Sequence, residues 1–132
     1  MSTEQMKATI RAAVAAWNAN DPDGYLSMYD SSLSHHGLGS EPLDEKGNRV
    51  FYERLATGFP GCQLILDDVL AEEDRVALRL HLVGEHGGEF IGVAPTGRSI
   101  QVNAQTILKF KDGRVVDRWT IADLAGLMSQ LG

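Results

Sequence analysis

Residues 99–122, "SIQVNAQTILKFKDGRVVDRWTIA", decide the fold. In the first half Ile100, Val102, Ala104, Thr106, Leu108 and Phe110 share one side, while Gln101, Asn103, Gln105 and Lys109 share the other. Successive strand residues point to opposite faces, so this is a half-buried strand with its apolar side turned to a core. Thr106 is a polar group on an otherwise apolar wall. "KDG" follows, and Asp-Gly between alternating runs is the strongest short hairpin signal. "RVVDRWTIA" then returns as a second strand. Its facing is ambiguous, because Val116, Arg118 and Thr120 alternate with Val115, Asp117 and Trp119, and each set mixes apolar with polar or charged groups.

Two further strands precede this hairpin. "CQLILDDVLAE" (62–72) and "RVALRLHLVGEH" (75–86) meet at the acidic turn Glu73-Asp74. Val76, Leu78, Leu80 and Leu82 point one way, toward the core; Ala77, Arg79 and His81 occupy the outer face. "GEFIGVAPTG" (88–97) is a looped connection. Upstream of Cys62 the period is helical. Ser2-Thr3-Glu4-Gln5 has capping-box spacing, and Met6, Ile10, Val14 and Trp17 then fall on one face. Asp21 is an N-cap with Pro22 at the first helical position, which predicts a short helix carrying Tyr25, Leu26 and Tyr29. "SSLSHHGLGSEP" (31–42) reads as loop. A third helix is predicted from about Asp44 to Gly58, with Pro60 beyond it. After a break at Asp123 the chain ends in an apolar helix. Helices followed by antiparallel strands make an α+β fold, in which a strongly curved sheet wraps its own helices and encloses a cavity.

The length, 132 residues, fits one domain over 1–132 and is enough to close a core. A net charge of −6 opposes binding to nucleic acid and to anionic membranes. The single cysteine, Cys62, forbids an internal disulfide and any CxxC metal pattern. The first residues lack a signal-peptide pattern and no stretch is long enough to span a bilayer, so a cytoplasmic location is expected. "GGEFIGVAPTG" is glycine-rich but lacks GK[ST] and opens no helix. No cofactor and no metal are expected.

Four blocks carry a resemblance: "FYERLATGFPG" (51–61), "GEHGGEFIGVAPTGRSIQV" (84–102), "FKDGRVVDRW" (110–119) and "DLAGLMSQLG" (123–132). With them the chain resembles the SnoaL-like polyketide cyclases (ester cyclases) of the nuclear-transport-factor-2-like superfamily over nearly its whole length. The resemblance implies a cone with a deep apolar pocket and a homodimer packed through the outer sheet face. It implies that Arg118 and Thr120 face the pocket. It also implies acid–base chemistry by a pocket carboxylate during ring closure. That carboxylate's position here is Thr120, the family's pocket histidine falls at Thr106 and its pocket glutamine at Ala104. A threonine has no pKa near neutrality, so the carboxylate mechanism does not carry over intact.

The remaining candidates follow from residue type. Asp123 is either a displaced acid–base group or the N-cap of the last helix. Arg118 either binds a substrate oxyanion or pairs with a structural carboxylate. His35 and His36 point to opposite sides of an extended segment, so one of them reaches the cone's mouth as a proton carrier, or both are solvated. His86 lines the entrance or fixes a turn. Tyr29 and Tyr52 are core or pocket wall, with hydroxyls that need partners. The expected ligand is a small apolar oxygenated molecule. The functional expectation is a cyclase-type enzyme moving a proton beside a carbonyl. The alternatives are a non-catalytic binding module, or a dimerisation domain with no cavity of roughly 300 Å3 or more.

Overall fold

The computed structural model describes residues Met1–Gly132. Helix α1 (Thr3–Asn18) starts at the capping box: the Gln5 amide donates to Ser2 Oγ at 3.1 Å, and the Ser2 amide to Gln5 Oε1 at 2.8 Å. Helix α2 (Pro22–Leu26) is capped by Asp21, which accepts from the Gly24 amide. Strand β1 (Tyr29–His36) precedes helix α3 (Glu45–Gly58), which is capped by Asp44. Strands β2 (Gln63–Glu72), β3 (Arg75–Glu85), β4 (Ser99–Lys111) and β5 (Arg114–Ala122) follow, and helix α4 (Leu124–Leu131) ends the chain. At the β4–β5 turn Asp112 and Gly113 both have positive φ, +51° and +82°, as a two-residue hairpin turn of this kind demands.

The sheet order is β1-β5-β4-β3-β2, antiparallel except for β1, which lies parallel to β5. The fold is α+β. The alternation read from sequence holds in β3 and β4: Val76, Leu78, Leu80 and Leu82, with Ile100, Val102, Leu108 and Phe110, are buried. They join Met6, Ile10, Val14 and Trp17 of α1 in one continuous core. Full burial of each such side chain contributes about 1.5–3 kcal/mol, which is what holds the curved sheet on its helices. No helix is long and apolar enough to cross a membrane.

Three expectations are corrected. The second helix ends at Leu26, and Tyr29 opens β1 instead of lying on that helix. Residues 31–36 are strand, not loop. Their serines and histidines conceal an edge strand in which Tyr29, Leu33 and His35 turn inward and the residues between them turn out. In β5 the inward residues are Val115, Arg118 and Thr120; Val116 is not on their side. The register slips between Lys109↔Asp117 and Phe110↔Val115, so β5 carries an extra residue. A β-bulge of this kind reverses the alternation at one point, which is why pattern alone left the strand ambiguous.

Gly37 ends β1 where it meets β5. Its φ is +101°, and a Cβ there would stand 2.0 Å from the Thr120 carbonyl oxygen. Gly37→Ala is therefore expected to lower unfolding free energy in urea by about 2 kcal/mol or more. An unchanged midpoint would mean that β1 and β5 are not so closely apposed.

Candidate functional site: a buried arginine in a tyrosine cage

Arg118 is the centre of the site. Its side chain is 4% exposed, and it has no carboxylate partner. Nη1 shares its two hydrogens among three phenol oxygens: Tyr25 at 2.8 Å, Tyr29 at 2.5 Å and Tyr52 at 2.9 Å. Nε donates to Thr106 Oγ1 at 3.0 Å. All of its hydrogen bonds are made by Nε and Nη1 and none by Nη2, and Arg118 lines the cavity described below. Buried charges are ordinarily neutralised by an opposite charge. This one is solvated by three phenols and a threonine hydroxyl. Burial works against its charge, but the oxygens of Tyr25, Tyr29 and Tyr52 outweigh burial and hold its pKa well above the ordinary arginine value. Burial raises the Tyr29 and Tyr52 hydroxyls above the usual tyrosine range, against the pull of Arg118, so these phenols stay neutral.

A second chain of hydrogen bonds begins at α3. Asn48 Oδ1 lies 2.9 Å from His35 Nδ1, and His35 Nε2 lies 2.7 Å from Thr120 Oγ1. Thr120 Oγ1 is 3.0 Å from Thr106 Oγ1, which also donates to the Trp119 carbonyl at 2.8 Å. The two chains thus meet at Thr106. Burial lowers the His35 pKa to about 3; the Arg118 charge adds to that, and the bond to Asn48 opposes it. The imidazole is neutral at physiological pH.

The cavity beside these groups is lined by His35, Tyr52, Arg118 and Thr120, with Leu64, Leu80, Leu82, Val102 and Ala104 as walls. Leu38, Phe51, Leu55, Ala122 and Leu124 also line it; being half-buried or exposed, they form the rim. Its volume is about 80 Å3. That is well below the roughly 300–1,000 Å3 of drug-sized pockets, and below the roughly 150 Å3 of a cavity that takes benzene. The deep pocket expected from resemblance is a narrow one here, of the size expected of the dimerisation-domain alternative. A ring-sized ligand requires the rim to part.

The candidate residues fall into three groups. His35, Arg118, Thr120 and Tyr52 meet at the cavity. Tyr29 and Thr106 lie one hydrogen bond behind it and brace Arg118. His36, Asp123 and His86 lie elsewhere. His36 is on the outer side, stacked on Trp119 with ring centroids 5.4 Å apart and Nε2 3.4 Å from Asp117. Asp123 is exposed and caps α4, accepting from the Gly126 amide at 2.8 Å. His86 is buried near Phe59, and its Nδ1 accepts from the Thr96 amide at 3.2 Å; it secures the loop rather than the entrance. Two site residues were missed. Tyr25 and Asn48 each stand four positions before a tyrosine of the cage, Tyr29 and Tyr52, and that spacing was the available signal.

An α+β cone with helices inside a curved sheet, whose pocket centres on the last strand, defines the class. The chain belongs to the SnoaL-like polyketide cyclase family, whose model matches residues 7–131. Among solved structures it is similar to AclR, "a putative hydroxylase from Streptomyces galilaeus", with 34% identity over 99% of this chain and 98% of that one and a TM-score of 0.92. It is similar to IdmH, "a putative polyketide cyclase from Streptomyces antibioticus", with 28% identity over 96% and 97% and a TM-score of 0.80. It is also 41% identical over 69 residues to aklanonic acid methyl ester cyclase AcmA of Streptomyces galilaeus, which is 51% of this chain and 48% of that protein. The match therefore spans about half the length of that curated relative.

Proposed function

We propose that the protein binds a polyketide-type ring compound as its enolate or phenolate, with the anionic oxygen on Arg118 Nη2, and promotes carbon–carbon ring closure by stabilising that charge. The observation that carries this reading is a buried guanidinium with no carboxylate and one nitrogen unpaired beside an apolar cavity. Preorganised donors in a water-poor site supply large electrostatic stabilisation. An enol flanked by carbonyls loses its proton to water readily, and the bound anion carries nucleophilicity on carbon. The alkoxide formed on closure would take the same donor before a proton from solvent. No proton transfer is assigned to His35, His36 or Asp123.

The test uses 4-nitrophenol, a single ring whose anion absorbs visibly. Its pKa is expected to fall by about one unit or more on binding, because an adjacent cation favours the charged form. An unshifted titration of the bound probe would overturn the reading. A second reading, a non-catalytic carrier, is favoured by the neutral His35 and the lack of any carboxylate in the cavity lining. Turnover of an open-chain polyketide ester, against its stoichiometric retention, separates the two.

We also propose a cytoplasmic homodimer formed through the outer sheet face. There Ile107, Trp119 and Ile121 are exposed, Ile121 at 81%. Contiguous exposed apolar groups of this kind mark interfaces. Ile121→Arg is expected to convert a dimer to a monomer by light scattering. A monomeric unmodified protein at micromolar concentration would sink the idea.

A further inference from the structure

Asn48 does not touch the cavity, yet it sits at the end of the chain that reaches it. We propose that Asn48 sets the hydrogen-bond polarity of the cavity wall. Through His35 it makes Thr120 a pure acceptor beside the donor Arg118, so the site selects ligands that carry an anionic oxygen next to a hydroxyl or N–H donor. This rests on the reading that the cavity takes an oxyanion, and it specifies which oxyanions.

The argument is a count of protons. An amide oxygen only accepts, so Asn48 Oδ1 at 2.9 Å requires the proton on His35 Nδ1. A neutral imidazole has one N–H, so Nε2 is a lone pair. Nε2 lies 2.7 Å from Thr120 Oγ1, and only the threonine can supply the hydrogen between them. Thr120 has one hydroxyl proton, so none is left for Thr106. Thr106 Oγ1 accepts from Arg118 Nε at 3.0 Å, and its hydroxyl proton goes to the Trp119 carbonyl at 2.8 Å. Thr120 thus offers lone pairs to the cavity. Arg118 Nε and Thr120 Oγ1 each lie 3.0 Å from the same oxygen, Thr106 Oγ1, and so stand as neighbours on one wall. The three residues set a fixed donor–acceptor pair without any group that titrates near pH 7. The same wall repels a ligand that presents acceptors on both sides, because its second acceptor would meet Thr120 lone pairs.

The experiment has two arms. Long-range proton–nitrogen NMR on the 15N-labelled protein at pH 7 is expected to show His35 protonated at Nδ1 and bare at Nε2; protonation at Nε2 overturns the inference. In the binding arm, 4-nitrocatechol adds one hydroxyl donor beside the anionic oxygen of 4-nitrophenol. The unmodified protein is expected to prefer the catechol about 10-fold, one good hydrogen bond's worth. Asn48→Asp places a carboxylate at Nδ1 and favours the imidazolium, whose Nε2–H turns the Thr120 proton toward the cavity; the catechol preference should vanish. If that variant does not fold, Asn48→Ala serves, since loss of the acceptor frees the ring proton to move to Nε2. Equal affinities in the unmodified protein, with Nδ1 protonated, overturn the inference while leaving the oxyanion site standing. Failure of both probes to respond to Arg118 removes the oxyanion reading instead, and the ligand selectivity inferred here with it.

Discussion

Arg118→Met is expected to abolish the pKa shift of bound 4-nitrophenol and to weaken its binding about 100-fold, or roughly 3 kcal/mol, the upper range for a hydrogen bond to a charged group. The same change is expected to leave thermal stability unaltered or improved. Methionine fills a similar volume and removes the desolvation penalty of a buried ion, on the order of several kcal/mol. Two of the three phenols keep a partner, because Tyr25 and Tyr29 already stand 3.1 Å apart and can bond each other, and Tyr52 lines the cavity. This combination distinguishes a functional cation from a structural one. A variant that unfolds readily and still binds the anion would show that Arg118 only braces the cage. Arg118→Lys is expected to keep part of the affinity, since a point charge cannot serve both the phenols behind it and a ligand in front with a planar fork.

Acid should destabilise the protein through His35. Its folded pKa of about 3 lies below the unfolded value of 6.5, so between these limits the unfolded chain binds the extra proton. Stability from this residue is fully present above pH 6.5 and is lost as pH falls toward 3. The full span is on the order of 4–5 kcal/mol. His35→Gln, which cannot take up that proton, should show a flatter dependence of unfolding free energy over the same window. Carboxylates elsewhere titrate in both proteins and cancel in the difference. Parallel curves for the two proteins would show that His35 is solvated and that its bonds to Asn48 and Thr120 do not persist.

The parts of the fold set by local patterning were legible. The Asp112-Gly113 turn, the caps at Ser2, Asp21 and Asp44, and the apolar sides of β3 and β4 follow from rules that span a few residues. The edge strand β1 was not legible, because strand propensity is weak in Ser-Ser-Leu-Ser-His-His and its pairing partner lies more than 80 positions downstream. The facing of β5 needed the bulge at Val116, which has no local signature. The candidate site shows the same division. Arg118 and Thr120 were found through resemblance, and His35 through its residue type. Tyr25 and Asn48 act through partners brought from distant strands, so only their four-residue spacing from Tyr29 and Tyr52 hints at the role. The width of the cavity is likewise a property of how rim side chains pack, and no pattern of residue types encodes it.

The pairing of the first strand with the last also has a consequence for synthesis. His35 and Thr120 are 85 positions apart, and Tyr25 and Arg118 are 93 apart. A growing chain therefore displays its phenols and imidazole long before the guanidinium that organises them leaves the ribosome. Contacts of such sequence separation are slow to form, and the edge of β4 stays unpaired until β5 arrives. A translation product that stops short of residue 118 would retain most of the apolar surface and the phenols but lack the guanidinium that organises them. Such fragments should be cleared by proteolysis rather than persist as partly working copies, and the amount of full-length protein alone would set the cell's binding capacity.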